Sequence, residues 1–281
     1  MLIDMHTHYI DYDTELSDRV KADIRRCGIS EKAWRYTTEE YIRGTEAADK
    51  VFIFGIRAKA TGFHSSNERV AAFARQKPER YVFVTSIDPL DDDYMDQLEY
   101  THKTLGAKML KLGPIYQGIH PHDSRYRPIY TYCQNHGLPI ITHMAATFAS
   151  GVPMEYARPI LMEQVACEYP DLKIILAHLG HPWEGEAITA IRKQPNLYSD
   201  ISALYYRPFQ FYQSMRLLEE YGAQEKVFLG SDFPATTTAG TIEGLRNVNA
   251  VIAGTALPPV SKEVTEGIIC RNPIEILGIE H

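Results

Sequence analysis

Leu2-Ile3-Asp4-Met5-His6-Thr7-His8, two apolar residues running into an acid and a His-x-His pair, is the stretch from which the fold of this 281-residue chain is read. The apolar start reads as a strand. In an extended strand alternate side chains share a face, so His6 and His8 point the same way, close enough for both imidazoles to meet one metal ion. The next question is whether other strands deliver chemistry to the same rim.

Working outward, short apolar runs recur at residues 51–56, 81–87, 107–112, 138–142, 172–177, 197–201 and 227–229, which with the first makes eight candidate strands. More polar segments with helix punctuation separate them, the pattern of βαβ units around a parallel sheet buried on both faces. Thr37 and Glu40 have capping-box spacing ahead of residues 41–48, and Asp123 is placed to cap a helix that stops at Gly137. Gly222 closes residues 211–221, and Asn272-Pro273 opens the last short helix. Eight such units predict an α/β fold of the closed (β/α)8 barrel type; no Gly-x-Gly-x-x-Gly turn follows any strand to favour an open dinucleotide-binding sheet. One domain over residues 1–281 is expected, with residues 9–35 too long for an ordinary βα connection and read as an excursion over the barrel mouth.

Composition excludes several classes. With 44% hydrophobic and 23% charged residues the chain has enough apolar side chain for a sizeable core. A net charge of −7 and a pI near 5.9 argue against nucleic acid as a partner, because phosphate binding needs a basic face. Cys27, Cys133, Cys167 and Cys270 are far apart, so neither a disulfide framework nor a thiolate metal site is expected. The acidic, His-rich start does not read as a signal peptide, no apolar run is long enough to span a membrane, and a cytoplasmic location follows as the default.

In a barrel of this kind the active site lies at the C-terminal ends of the strands. Strand one ends in His6 and His8, strand four carries Lys111, strand five ends at His143, strand six runs into His178 and His181, strand seven carries Asp200, and strand eight runs into Asp232. Six of the eight strands therefore finish on a group that can bind a metal or move a proton.

In this order and spacing the sequence resembles the amidohydrolase superfamily, and within it the amidohydrolase-2 branch that contains aminocarboxymuconate-semialdehyde decarboxylase and related decarboxylases. The resemblance rests on Asp4-Met5-His6-Thr7-His8, the segment from Lys111 to Gly118, Leu138-Pro139-Ile140-Ile141-Thr142-His143, Ala177-His178-Leu179-Gly180 and Gly230-Ser231-Asp232-Phe233-Pro234. It implies a TIM barrel with one divalent metal held by His6, His8, His143 and Asp232, with His178 unligated beside the metal-bound water. Relatives in this branch are commonly dimers, and with the excursion at residues 9–35 and the aromatic segment 205–212 this makes a homodimer the expected assembly.

Three imidazoles and a carboxylate suit zinc, with manganese, iron or cobalt as alternatives, and an open position makes such a site catalytic. Asp232 can take a proton from bound water while His178 orients it, and Asp200 is read as the carboxylate that buttresses a histidine. Lys111, Arg57, Tyr116, His181 and Arg207 are the candidates for binding a small, carboxylated substrate. Lys111 as a carboxylated bridging ligand of a two-metal site is the less favoured alternative. Trp183 is a possible wall of the pocket, and His120 and His122 are read as exposed.

Two reactions fit this inventory. Hydrolysis of an amide, lactone or ester-like bond is the main expectation, because Leu179-Gly180-His181-Pro182 stands where the decarboxylases of the branch often have a Gly-Gly run. Nonoxidative decarboxylation of an aromatic or muconate-like acid is the alternative, and a silent ligand-binding barrel is a third reading from a different class.

Overall fold

The computed structural model describes residues 1–280. Eight parallel strands follow one another around the sheet in chain order: β1 (Ile3–His8), β2 (Lys50–Phe54), β3 (Tyr81–Ser86), β4 (Met109–Leu112), β5 (Ile140–His143), β6 (Ile174–Ala177), β7 (Leu197–Asp200) and β8 (Val227–Phe228). Every apolar run read from the sequence forms one of them. The largest change is at β1, which continues through both histidines. Backbone bonds from Met5 N to Leu229 O (3.1 Å), Asp232 N to His6 O (2.8 Å) and His8 N to Phe233 O (2.8 Å) join the last strand to the first. The barrel interior is filled by Met5, Phe52, Phe54, Val84, Met109, Ile175 and Phe228, with Leu277 and Ile279 of the C-terminal segment packed against them. Each large side chain of this kind contributes roughly 1.5–3 kcal/mol by leaving water.

A bulge in β1 decides where the histidines point. Between the pairs Asp4↔Val51 and Thr7↔Ile53, β1 advances three residues and β2 only two. The extra residue resets the alternation. Ile3 and Met5 pack in the interior, yet His6 and His8 also face inward, 5.0 and 4.8 Å from the Phe54 ring. Asp4 is fully buried and accepts hydrogen bonds from the amides of His6 (3.2 Å) and Ser231 (2.9 Å) and from the Thr238 hydroxyl (2.5 Å). One carboxylate thus ties β1 to the segment after β8, the two ends that the barrel must bring together.

The helix signals fare unevenly. Thr37 and Glu40 form a complete capping box, although the helix Thr38–Gly44 stops before residue 48. Asn272 caps Pro273–Leu277 with its side chain. Asp123 does not cap the helix Tyr126–Asn135; its carboxylate is taken by the Arg125 amide and guanidinium, and Arg125 occupies the cap position. No helix among the described residues is long and apolar enough to cross a membrane.

Residues 9–35 form the roof. They contain the helices Asp18–Arg26 and Glu31–Trp34, and Trp34 meets Phe148, from the loop after β5, edge to face at 5.9 Å. Asp23 clasps the two segments: it accepts from the Ser150 amide (2.8 Å) and hydroxyl (2.9 Å) and from the Arg26 guanidinium (3.0 Å), which also donates to Phe148 O (2.9 Å). Replacing Asp23 by Ala removes the acceptor of the exposed Ser150 donors, which can then turn to water, and is expected to cost about 0.5–1.5 kcal/mol. Urea unfolding measures that loss, and protease cleavage around residues 145–151 should accelerate; an unchanged digestion rate would remove Asp23 from the clasp.

Candidate active site

At the C-terminal end of the barrel a cavity of about 650 Å³ opens under the roof. His6, His8 and Asp232 meet at its base: His6 Nε2 and His8 Nε2 are 3.3 Å apart, and Asp232 Oδ1 lies 3.2 and 3.1 Å from them. His143 and His178 stand beside them, Nδ1 to Nε2, at 3.1 Å. A nitrogen of His6, a nitrogen of His178 and an oxygen of Asp232 lie within 4.8 Å of one another.

Hydrogen-bond partners assign the protons. His6 Nδ1 donates to Asp200 Oδ2 at 2.9 Å, leaving a lone pair on Nε2. His143 Nε2 faces the Ala145 carbonyl at 3.0 Å and must donate to it, leaving a lone pair on Nδ1. His178 Nδ1 faces the Ser202 carbonyl at 3.3 Å and the Ser202 hydroxyl at 2.7 Å, so it carries the proton and Nε2 has the lone pair. His6 Nε2, His178 Nε2 and Asp232 are thus left as lone-pair donors facing one another, with His143 Nδ1 3.1 Å from His178 Nε2 and the Lys111 ammonium 3.5 Å from His6 Nε2 beside them. Two donors about 2.1 Å from one ion stand about 3.0 Å apart at a right angle and about 3.4 Å apart at a tetrahedral one; the separations of 3.1 to 3.3 Å among His6, His8 and Asp232 fit this. The cluster suits one divalent metal.

Electrostatics agree at His8 and His178, whereas at His6 burial and the Lys111 charge are outweighed by the Asp200 and Asp232 carboxylates, which raise the imidazole. Burial pushes the His178 imidazole down to about 3 and, against a rise from Asp232, the His8 imidazole down to about 4, so both stay neutral and able to donate a lone pair. Burial alone would raise the Asp232 carboxyl, yet the neighbouring His178, His6 and His8 hold it well below the usual range. Lys111 is buried 3.5 Å from His6 Nε2 and 5.0 Å from the Phe54 ring centre; burial lowers its ammonium to about 8, against the pull of Asp232 and Asp200. It makes no ion pair among the described residues, so it is a cation aimed at the cavity.

Asp200 is fully buried, and its oxygens accept from His6 Nδ1, from the amides of His178 and Ser202 (both 3.0 Å) and from the Ser202 hydroxyl. Ser202 and Asp4 are not visible as functional residues in the sequence. The signal available for Ser202 was only its place two residues beyond a buried strand-end carboxylate. Gly230 supplies the space that His6 and Ser202 need, since a Cβ there would come within 2.8 Å of His6 Cβ and 3.2 Å of Ser202 Cβ.

The remaining sequence candidates divide. Tyr116, His181 and Arg207 line the cavity together with Trp34, Phe63, Phe148 and Tyr206. Tyr116 stacks obliquely on His143 at 4.6 Å, and the Arg207 guanidinium lies over the Tyr206 ring at 4.6 Å. Arg57 does not line it; its guanidinium pairs with Asp91 at 2.8 Å in a separate small pocket. Trp183 does not line it either and leads instead into the helix Glu184–Lys193. His120 and His122 are half-buried, contrary to expectation, because their rings pack together at 5.1 Å and His122 Nε2 donates to Leu161 O at 2.6 Å.

Comparison with known proteins gives the family and the fold. A family model described as amidohydrolase matches residues 3–279. No curated protein matches the chain. Among solved structures, an uncharacterised TIM-barrel protein from Bordetella bronchiseptica is similar at 20% identity and a TM-score of 0.75, covering 99% of each chain. A 5-carboxyvanillate decarboxylase from Sphingomonas paucimobilis is similar at 16% identity and a TM-score of 0.70, again covering 99% of each chain. A probable 2-pyrone-4,6-dicarboxylic acid hydrolase from Acinetobacter baumannii, with citric acid bound, is similar at 15% identity and a TM-score of 0.67, also over 99% of each chain.

A pH dependence follows from the site. His8, His178 and His181 are held at about 4, about 3 and about 4, burial being the first cause in each. The unfolded chain protonates them near 6.5 and the folded metal-free chain does not, so below about pH 6.5 the unfolded state binds more protons and stability falls as the pH falls. Each contributes a slope of about 1.4 kcal/mol per pH unit between about 6.5 and its folded value. His143, which burial also holds well below its usual range, adds to the slope, so urea unfolding of chelator-treated protein between about pH 7 and about pH 5 should record this decline, and His181→Gln should make it shallower by roughly a quarter.

Proposed function

The chain belongs to the amidohydrolase family, and from that membership we propose that it is a metal-dependent nonoxidative decarboxylase of a small aromatic or muconate-like carboxylic acid. The observation that carries the reading is the cavity itself. Aromatic walls from Trp34, Phe63, Tyr116, Phe148 and Tyr206 descend on an unpaired Lys111 beside the histidine cluster. A flat, unsaturated acid fills such a slot with its ring against the walls and its carboxylate toward Lys111, while Arg207 at the rim can take a second anionic group. Similarity to a decarboxylase of 5-carboxyvanillate supports the same direction.

His6, His8, His143 and Asp232 would hold one divalent metal, zinc being the first choice and manganese, iron or cobalt the alternatives. When bound, such an ion polarises a carboxylate or a ring oxygen. The chain's own groups then do the rest. The walls exclude water and Lys111 orients the carboxylate; Asp232 with His178 would take a proton from a substrate hydroxyl or from solvent and pass it to the ring carbon that bears the carboxylate. The bond from that carbon to the carboxylate breaks, its electron pair returns to the ring, and carbon dioxide leaves. Asp200 keeps His6 turned toward the metal.

Hydrolysis is the second reading, favoured by the His181-Pro182 run after Gly180 and by the similarity to a probable lactone-type hydrolase of 2-pyrone-4,6-dicarboxylic acid. Asp232 would then take the proton of an attacking water. Assay of hydroxybenzoic acids, 5-carboxyvanillate and 2-pyrone-4,6-dicarboxylate separates the two: carbon dioxide release is expected, and ring opening with acid release and no carbon dioxide would establish hydrolysis instead.

His143→Ala should lose most of the bound metal, measured by elemental analysis, while keeping its circular dichroism. His178→Asn should keep the metal and lose about 100-fold to 10,000-fold in rate; metal loss in step with rate would make His178 a ligand. We also propose a homodimer, on the exposure of Tyr206 and Phe209, and light scattering at micromolar concentration should give twice the chain mass.

A further inference from the structure

We propose that Ser202 is a positioning residue that locks His178 in the tautomer with its proton on Nδ1, so that the Nε2 lone pair is presented to the cavity. The inference deepens the decarboxylase reading, since it rests on His178 acting through a free Nε2. Ser202 is fully buried, and its hydroxyl sits between three groups: the Asp200 carboxylate, His178 Nδ1 at 2.7 Å and His6 Nδ1 at 3.2 Å. A hydroxyl has one proton to give and two lone pairs to fill. Asp200 already accepts from His6 Nδ1 and from the amides of His178 and Ser202, so towards the serine it acts as an acceptor. The serine proton therefore goes to Asp200, and both lone pairs are left to receive N–H groups.

The directions are then forced. His178 Nδ1 donates to Ser202, and His6 Nδ1, whose main acceptor is Asp200, shares the second lone pair. One carboxylate thereby sets the orientation of two imidazoles, His6 directly and His178 through the serine. The backbone serves the same end. Ser202 N donates to Asp200 at 3.0 Å, and Ala203, the next residue, adopts a left-handed φ of 57°, which turns the chain away from the strand just after the hydroxyl is placed. Such a conformation costs a non-glycine residue about 1–3 kcal/mol and persists only where its surroundings impose it.

The alternative tautomer would put a proton on Nε2, 3.1 Å from His143 Nδ1. Nε2 would then carry a hydrogen in place of the lone pair it presents to the cavity. Without the hydroxyl, only the carbonyl of residue 202, at 3.3 Å, would remain to hold the Nδ1 proton.

The test is nitrogen-15 NMR of the metal-replete protein labelled at histidine, comparing wild type with Ser202→Ala, Ser202→Cys and Ser202→Thr. Wild type should give the signature of protonated Nδ1 and unprotonated Nε2 at His178. The Ala and Cys variants should show a second population protonated at Nε2, with kcat reduced about 10-fold to 100-fold, KM and metal content kept, and Thr restoring both signals. Cys retains the side-chain volume, so a packing defect in Ala alone does not decide the outcome. An unchanged tautomer in both the Ala and Cys variants overturns the proposal. So does a loss of metal in proportion to rate, which would assign the serine to His6. The tautomer signal decides even where no tested acid is decarboxylated, so failure of the reaction assignment is distinguishable from failure of this one.

Discussion

Asp200 is a carboxylate with no exposed surface, placed at the end of β7, and the geometry of the mouth follows from how its charge is accommodated. A buried anion must be compensated in place. Here four donors do so: His6 Nδ1, the amides of His178 and Ser202, and the Ser202 hydroxyl. Each of those bonds leaves a consequence on the far side of the donor. His6 Nε2 and, through Ser202, His178 Nε2 turn their lone pairs into the cavity, where Asp232, His8 and His143 add theirs. A carboxylate that touches no substrate thereby makes the opposite face of the cluster electron-rich, which is what a divalent cation needs.

The rim carries backbone strain as well. His178, Leu179, Ala203 and Asp232 all have left-handed φ, between 46° and 66°, and they are the only non-glycine residues among those described to do so. Each costs about 1–3 kcal/mol. All four follow β6, β7 or β8, where the chain must leave the barrel sharply so that a side chain can lean over its axis. The well-filled interior and the clasped roof hold them there. Left-handed backbone confined, among the described non-glycine residues, to the segments after β6, β7 and β8 is independent support for reading that end as the working face.

On the proposed reading, reactivity and selectivity come from different parts of the chain. Strand ends supply the histidines, Asp232 and Lys111. Most of the aromatic surface that a substrate would meet comes from excursions: Trp34 from residues 9–35, Phe148 from the loop after β5, and Tyr206 with Arg207 from the turn after β7. Relatives below 25% identity can therefore share the barrel and differ in what they admit.

The sequence by itself determined the barrel, because strand formation is a local matter of apolar runs and turn residues, and each run announced its own end. It also determined which strand ends carry groups able to bind a metal or move a proton, since His6, His8, Lys111, His143, His178, Asp200 and Asp232 all stand at or next to them. Four things were left to the tertiary structure. The β1 bulge that turns His6 and His8 inward below Met5 depends on pairing with β2. The Asp4 latch depends on barrel closure, which brings Ser231 and Thr238 to a residue more than two hundred positions away. Arg57 falls outside the cavity because Asp91 captures it, a partner that spacing along the chain does not predict. Ser202 carries no signal of its own: a serine becomes a positioning group only when a buried carboxylate and two imidazoles converge on it, and convergence is a property of the closed barrel.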